Sequence, residues 1–327
     1  PYSLVALVGA GRMLVEEGLF REALVRFQSA LEQPEPRGLV AEGERPLLVQ
    51  AKLGLVQALL RLDRPQEALE TAQGLARDRA DDPEALLALG NVQEALRQAA
   101  QAEATYRKVI EVAPTSFAGY LALAQFFFGQ EKPDEAAQAL ALADGHVEVT
   151  AEVRRMKGES ELRRNNLAAA RAEFQGALEL DANDRGALFG LGGTDRRANH
   201  LNDALATFDR LQRLDASYPG LMLERGLVLE GLGYMDRAVE AYERALRANP
   251  EDSTLEIRLG AAQVVAGRLD AGERTLNAVL ARTPNDPVAI HYLGRAAFQR
   301  GDYAAAEQRL AQAVTLDPQR AEYNVYL

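Results

Sequence analysis

A glycine pattern near the start of the chain resembles the phosphate-binding turn of dinucleotide-binding proteins. The stretch LVALVGAGR covers residues 4–12 and places Gly9 and Gly11 where that turn has its first two glycines, which let the backbone approach a pyrophosphate. The third glycine position holds Leu14. Because a glycine pattern without its strand–turn–helix context is a weak signal, we interpret this stretch as helix rather than as a nucleotide site.

A second glycine-rich stretch, FGLGGTD at residues 189–195, also resembles a phosphate-binding loop. No Gly-Lys-Ser or Gly-Lys-Thr follows it, and that lysine and hydroxyl are the groups that hold phosphate and magnesium. Gly190 and Gly193 would each weaken a helix by up to about 1 kcal/mol relative to alanine. We therefore predict a locally weak helix, with close approach of a partner's backbone as the alternative.

Residues that could bind a metal or act as nucleophiles are absent or scattered. The chain has no cysteine, and its histidines, His146, His200 and His291, have no second ligand at metal-binding spacing. Its 48 acidic residues are spread along the chain, so no carboxylate pair and no Ser-His-Asp arrangement can be singled out. The sequence therefore predicts no metal, no cofactor and no catalysis in this segment.

The charge and hydropathy of the chain exclude two classes of partner. A formal net charge of -11 argues against nucleic acid, because nucleic-acid binding uses a basic face. No apolar stretch approaches the roughly 18–20 residues of a membrane-spanning helix, so membrane insertion is not expected. The chain begins with Pro1 and not with Met, from which we expect a segment of a longer protein. The compartment is left open, with the cytoplasm favoured.

Small residues recur at a fixed step of 34 residues and mark the elements that position the other side chains. One ladder comprises Ala68, Ala102, Ala136, Ala170, Ala204, Ala238, Gly272 and Ala306. A second runs twelve residues ahead of it, at Gly90, Ala124, Gly158, Gly192, Gly226, Gly260 and Gly294. Since a missing side chain lets two helix backbones cross closely, both ladders predict helix crossings. Gly11 and Gly192 are in step with the second ladder, which supports the helical interpretation of both glycine-rich stretches.

Each 34-residue unit is predicted to be a pair of helices. In residues 287–320, Ile290 and Leu293 lie on one helical face, Gly301 ends the first helix, and the second ends before Pro318. Such a short amphipathic pair cannot bury its apolar face alone, so neighbouring units must stack.

This pattern resembles the tetratricopeptide repeat family. The resemblance rests on the 34-residue step, on LALG at residues 87–90, on DRAVEAYERALRANP at residues 236–250, and on an aromatic residue four positions after the small one in several units. It implies an all-α fold, a right-handed α-solenoid (superhelix) of stacked helix-turn-helix units forming a single domain. We number nine repeats: 4–37, 49–82, 83–116, 117–150, 151–184, 185–218, 219–252, 253–286 and 287–320.

Three places depart from the regular pattern. Eleven extra residues separate repeats one and two, and their prolines and glycines predict a loop over residues 33–48, although the following helix could begin near Pro46. Repeat five carries charge where other repeats carry leucine, so it is the expected soft joint of the stack. Residues 321–327 are expected to start a tenth repeat or to cap the ninth.

In this family the first helices line a concave groove that binds peptides or partner helices, and the resemblance carries those positions to this chain. It places four arginines in the middle of the groove, where they could pair with acidic groups: Arg155, Arg163, Arg196 and Arg197. The alternative is a solvated charged face balanced by Glu159 and Glu161.

The remaining groove positions are amide-bearing or apolar. Asn91 and Gln125 could contact a peptide backbone, with Phe128 beside them, and an apolar stripe is formed toward the C-terminal end by Ile257, Val264, His291, Tyr292 and Phe298. The alternative for the stripe is packing between repeats or beneath a following helix.

The resemblance implies a non-catalytic scaffold that binds a protein or peptide partner in its groove, within a multiprotein assembly. Two other functions stay open: the specificity arm of an enzyme whose catalytic domain lies outside this segment, and a self-assembling structural solenoid. The sequence leaves open whether the partner is an acidic segment, an adaptor or a small GTPase, and whether the chain is a monomer or self-associates weakly. The excess of arginine over lysine favours a bacterial source.

Overall fold

The computed structural model of the chain describes residues 3–33 and 39–320, with the backbone alone described for residues 39–45. In these residues the regular elements are eighteen α-helices, which alternate as the first and second helices of the nine repeats. The first helices are α1 Leu4–Glu16, α3 Leu39–Arg61, α5 Pro83–Ala95, α7 Phe117–Gly129, α9 Ala151–Arg163, α11 Arg185–Arg197, α13 Leu221–Gly231, α15 Ser253–Val265 and α17 Pro287–Arg300. The second helices are α2 Phe20–Leu31, α4 Pro65–Asp78, α6 Ala99–Val112, α8 Pro133–Ala141, α10 Leu167–Leu180, α12 Leu201–Leu214, α14 Met235–Ala248, α16 Leu269–Arg282 and α18 Tyr303–Leu316.

The helices form two compact units, Pro1–Arg164 and Asn165–Leu327. The first unit contains α1 to α9 and the second α10 to α18. Within each unit, successive helices pack on one another in chain order, and a first helix also contacts the first helix of the next repeat, as α1 does with α3 and α15 with α17. This is the packing of an α-solenoid, so the predicted all-α solenoid class is confirmed. That the two units form a single domain stays a prediction.

The glycine ladder of the first helices makes room for a large side chain of the second helix. A Cβ on Gly11 would lie 2.6 Å from Phe27 Cε1, and one on Gly192 would lie 2.5 Å from Phe208 Cε1. The same relation, sixteen residues apart, joins Gly226 to the ring of Tyr242. The small residue and the aromatic residue are therefore two halves of one packing contact within a repeat.

The small residues of the second helices lie where two backbones come close. A Cβ on Gly272 would be 3.0 Å from the carbonyl oxygen of Gly260 and 3.1 Å from the amide nitrogen of Val264, both on the first helix of the same repeat. Ala204 and Ala238 are fully buried at the equivalent position. The predicted close crossing of two backbones agrees with these contacts for the second-helix ladder, whereas the first-helix ladder makes room for a side chain instead.

The turn between the two helices of each repeat contains one residue with positive φ. Glycine occupies this left-handed position in some repeats, as at Gly301 with φ 82°, where its N–H closes the end of α17. Other repeats hold Asp63, Arg97, Glu131, Asn165 or Asn199 there, with φ between 55° and 62°. Residues other than glycine are strained in this conformation. The packing of the helices on both sides of the turn therefore maintains the positive φ.

The glycine-rich stretch of repeat six is continuous helix, and one of its extra glycines has a packing role. A Cβ on Gly190 would overlap the ring of Phe174, which belongs to the preceding second helix, α10. Thr194 Oγ1 donates to the carbonyl of Gly190 at 2.7 Å within the helix. The close approach at Gly190 therefore comes from the chain's own phenylalanine.

The predicted loop between repeats one and two is wrong for residues 39–45, and the alternative that the helix includes Pro46 agrees with the structure. Helix α3 runs for 23 residues, and Pro46 lies inside it. Residues 39–45, LVAEGER, include leucine, alanine, arginine and two glutamates, which are good helix formers, and the helix starts about two turns earlier than the prolines suggested. Residues 34–38 of that loop lie outside the described residues, as does the predicted tenth repeat at residues 321–327.

Repeat five replaces apolar contacts with ion pairs. Lys157 on α9 pairs with Asp144, and Arg164 pairs with Asp134 at 2.7 Å and with Glu161 at 2.8 Å. The preceding second helix, α8, has nine residues where most second helices have fourteen. The boundary between the two compact units falls directly after Arg164, inside this repeat.

Candidate partner-binding surface

A cavity of about 690 Å³ lies between two first helices, α3 and α5. Its lining residues recur at helical spacing on each helix, so they share one face. They are Leu53, Val56, Gln57, Leu60 and Arg61 from α3, with Glu84, Leu87, Ala88, Asn91, Glu94 and Ala95 from α5. The cavity has an apolar floor and polar groups at its rim.

A buried tyrosine holds two of the rim groups in place. The hydroxyl of Tyr106 lies 2.8 Å from Asn91 Oδ1 and 2.9 Å from Glu94 Oε2. Burial, and then the charge of Glu94, raise the pKa of Tyr106 well above its usual value, so the hydroxyl stays protonated at neutral pH and donates its single proton to one of these two oxygens at a time. Because Tyr106 is itself fixed against Gly90, it sets the positions of the Asn91 amide and the Glu94 carboxylate.

The charges at this cavity favour a cationic group. Glu84 and Glu94 lie on the α5 side, and Arg61 lies on the α3 side. The guanidinium carbon of Arg61 is 6.0 Å from the centre of the Phe20 ring, which draws this cation toward α2. With two carboxylates and one guanidinium, the residues that line the cavity have a net negative charge.

One of the two predicted groove residues of α7 contacts one of the four arginines. Gln125 is exposed and Phe128 is half-buried on α7. The guanidinium carbon of Arg163 lies 4.4 Å from the centre of the Phe128 ring, which is a cation–π contact. Gln125 and Phe128 do not line the cavity between α3 and α5, whereas Asn91 does.

The other three arginines each have an intramolecular polar partner. Arg155 pairs with Glu159 at 2.9 Å, the glutamate named in the alternative interpretation of this face. In the second compact unit, Arg196 pairs with Glu224 at 2.7 Å. Arg197 donates to the side-chain oxygen of Asn165 at 2.8 Å. An acidic partner would therefore have to compete with these contacts.

The predicted apolar stripe is divided between buried and accessible residues. Val264 is fully buried, because its side chain fills the space beside Gly272, and His291 is 3% exposed, so both follow the packing alternative and neither lies on a surface. Ile257 and Tyr292 are half-buried, and Phe298 is 44% exposed, with its ring edge-on to Tyr303 at 5.5 Å. Burial, with the nearby Arg295 and Arg320, lowers the pKa of His291 to about 4.

The described residues contain no group of three or more histidine or acidic side chains placed to hold a metal ion. Among the helices of the described part of the chain, none combines the length and the apolar composition needed to cross a bilayer.

Family models place the whole repeated region in one class. A tetratricopeptide repeat model matches residues 8–83, 53–117, 85–146, 121–185, 155–220 and 189–253, and a second model of the same repeat matches residues 232–293. The chain belongs to the tetratricopeptide repeat (TPR) family.

Solved structures with the same fold include three TPR-type chains. One is a chain of the APC/C hetero-tetramer Cut9–Hcn1, with a TM-score of 0.58, 17% identity, and coverage of 85% of this chain and 52% of that chain. The C-terminal part of a TPR protein from Cytophaga hutchinsonii has a TM-score of 0.56 and 14% identity, with coverage of 74% of this chain and 99% of that chain. A TPR protein from Parabacteroides merdae has a TM-score of 0.54 and 15% identity, with coverage of 78% of this chain and 97% of that chain. The chain thus spans about half the length of the first of these. A search of curated sequences finds no match.

Membership of the TPR family makes the chain a protein-interaction scaffold. TPR proteins are generally non-catalytic.

Sequence reasoning found Asn91 but missed the cavity beside it. Leu53, Leu60 and Leu87 were not singled out, because a leucine at helical spacing usually belongs to the core. The available signal was their position in the TPR unit, where they fall on the first helices at the same places as the predicted groove residues.

Proposed function

We propose that this TPR chain binds an extended peptide segment of a partner protein on the first-helix face, with the cavity between α3 and α5 as the main contact. The observation that carries the proposal is the cavity itself: an apolar floor, enough volume for one or two side chains, and amides at the rim. The side chain of a partner residue would enter the floor between Leu60 and Leu87.

The rim supplies groups that recognise a peptide backbone. Gln57 and Asn91 come from facing helices, and an amide can donate to one backbone carbonyl and accept from one backbone N–H. Asn91 is pre-positioned by Tyr106, so little of its conformational freedom is lost on binding. These two amides would therefore fix the orientation of the bound peptide and also contribute to its affinity.

We assign the four groove arginines a secondary role, as a contact for an acidic segment of the partner protein. Their intramolecular partners, such as Glu159 and Glu224, reduce what an acidic partner would gain, because one ion pair would replace another. We therefore assign them a smaller share of the binding energy than the apolar floor.

The test uses peptides selected from a random library against the wild-type chain. Asn91→Ala is expected to weaken the selected peptides roughly threefold to tenfold, as expected for one lost hydrogen bond. Leu87→Arg is expected to abolish binding, because it puts a charge on the apolar floor. The matched control is Leu142→Arg, at a leucine 51% exposed elsewhere in the same compact unit, which should leave affinity unchanged.

Selected peptides that bind Leu87→Arg as tightly as wild type would refute the cavity as the site. If the same peptides lost affinity on Arg155→Glu or Arg196→Glu, the main contact would move to the arginines.

A further inference from the structure

A second cavity, of about 530 Å³, lies inside the second compact unit, where two connections between repeats come together. One wall is the connection between α12 and α13, residues 216–220, and the other is the end of α14 with the start of α15. None of its lining residues belongs to the cavity between α3 and α5. Its lining comes from repeats six to eight, so the cavity does not depend on where the chain begins or ends.

The connection before α13 has a sequence that keeps it out of the helix. One 34-residue step before Ser253, the first residue of α15, lies Pro219, yet α13 begins two residues later, at Leu221. Asp252 caps α15 by accepting from the backbone N–H of Leu255 at 2.9 Å, whereas the equivalent residue before α13 is Tyr218. Gly220 then takes a left-handed conformation, with φ 78°. The first turn of α13 is therefore replaced by a wall of the cavity.

The floor of the cavity is apolar and formed before any ligand arrives. Met222 of α13 and Ala245 of α14 are each 9% exposed, and Leu255 of α15 is 3% exposed. All three belong to the hydrophobic core of the second unit. A methionine has three rotatable side-chain bonds and adapts to different apolar shapes. The floor can therefore receive an apolar side chain of a ligand.

Two arginines lie at the rim of this cavity, one turn apart on α14. Arg244 and Arg247 are both exposed, and side chains three residues apart on a helix are neighbours. Within the described part of the chain, neither arginine forms an ion pair or a side-chain hydrogen bond. The acidic residue among the described lining is Asp252, whose carboxylate already caps α15. The cavity thus has a positive rim in a chain whose net charge is -11.

We propose that this cavity binds an acidic segment of a partner protein, in which an aspartate or glutamate lies next to a large apolar residue. The apolar side chain packs on Met222 and Leu255, and the neighbouring carboxylate pairs with Arg244 and Arg247. Guanidinium groups bind carboxylates with two parallel hydrogen bonds. This carboxylate displaces no intramolecular partner.

Another repeat of the same array does not fit as the occupant. Repeat seven already packs on both of its neighbours, because α12 contacts α13 and α14 contacts α15. Its stacking faces are therefore used, and the cavity lies at the connections between repeats. A protein-interaction scaffold with a preformed apolar floor and two unpaired cations is suited to a segment of another protein.

The probe is a displayed library of random peptides, selected against the full chain carrying Leu87→Arg, which closes the cavity between α3 and α5. Selected peptides should carry aspartate or glutamate next to leucine, phenylalanine or methionine. Adding Arg244→Gln and Arg247→Gln should weaken them at least about tenfold, because charged hydrogen bonds are lost. The matched control adds Arg237→Gln and Arg274→Gln, at two exposed arginines outside the cavity, and should leave affinity unchanged.

A second variant tests the floor without changing any charge. Ala248 is exposed and lines the cavity, so Ala248→Phe places a ring in the space for the ligand while the core stays as it is. The temperature of thermal unfolding should stay near the starting value, and peptide affinity should fall at least about tenfold. The control is Ala206→Phe, at an exposed alanine of α12 outside the cavity, which should not change the affinity.

Three results would overturn the inference. The first is a selection that yields no peptide whose affinity depends on Arg244 and Arg247. The second is a set of peptides that bind the Ala248→Phe chain as tightly as its parent. The third is a wild-type dimer in analytical ultracentrifugation that the two arginine substitutions dissociate, which would make a second copy of this chain the occupant. None of these results bears on the cavity between α3 and α5.

Discussion

At the scale of single residues, the structure depends on pairs that join the two helices of a repeat. Where the second helix carries an aromatic residue, the glycine of the first helix and the ring sixteen residues later form one contact, as at Gly90 and Tyr106. In two repeats the tyrosine also uses its hydroxyl: Tyr106 reaches Glu94 at 2.9 Å, and Tyr242 reaches Glu230 at 2.5 Å. The same packing contact thus carries a polar group to the face of the first helix.

This pair of tyrosines gives a matched test of the site. Tyr106→Phe and Tyr242→Phe each remove a hydrogen bond to a glutamate, and each should lower the free energy of unfolding by about 1 kcal/mol in chemical denaturation. Only Tyr106 holds Asn91 at the cavity. Peptide affinity should therefore fall severalfold in Tyr106→Phe and stay at the wild-type value in Tyr242→Phe. Equal affinities in the two variants would show that the hydroxyl does not order the site.

At the scale of helices, the second-helix ladder sets how closely two backbones approach. Ala204→Leu should destabilise the chain by roughly 1–3 kcal/mol, because the added atoms have no space at the crossing of α11 and α12. Ala206→Leu lies on the exposed side of the same helix and is the control, with little expected change. The comparison is made by denaturation midpoints. A midpoint that Ala204→Leu leaves at the wild-type value would show that the ladder does not mark the crossing.

The helices were largely predictable from the sequence because small residues recur at a fixed step of 34 residues from Ala68 to Ala306, in phase with the apolar spacing. Helix α3 was not, since Pro46 is a strong break signal locally, whereas the helix formers before it and the packing after it outweigh that signal. The site was predictable only in part. Position in the repeat placed Asn91 on the first-helix face that lines the cavity, but the burial of Val264 and His291 depends on neighbouring side chains that a single position does not reveal.

At the scale of the whole chain, the fold is a series of nearest-neighbour contacts divided into two compact units after Arg164. Solenoid stability is approximately a sum over repeats and their interfaces, so fragments can keep part of it. Residues 1–164 and residues 165–327, expressed separately, should each be helical and unfold at a lower temperature than the intact chain.

The control for this division is a cut after Tyr106, inside α6. It leaves Gly90 and Tyr106 on one fragment and the C-terminal part of α6 on the other. The fragments made there should lose more helix by circular dichroism than those made after Arg164. Two unstructured fragments from the cut after Arg164 would contradict the additive description.

The central claim is that a partner peptide lies in the cavity between α3 and α5, and photo-cross-linking tests it most directly. A benzophenone amino acid is placed at Gln57, which is exposed at the cavity, or at Gln138, which is exposed on the second helix α8. Peptides selected against the wild-type chain should cross-link from the position of Gln57 and not from that of Gln138. Cross-linking from Gln138 alone, or equally from both positions, would contradict binding on the first-helix face.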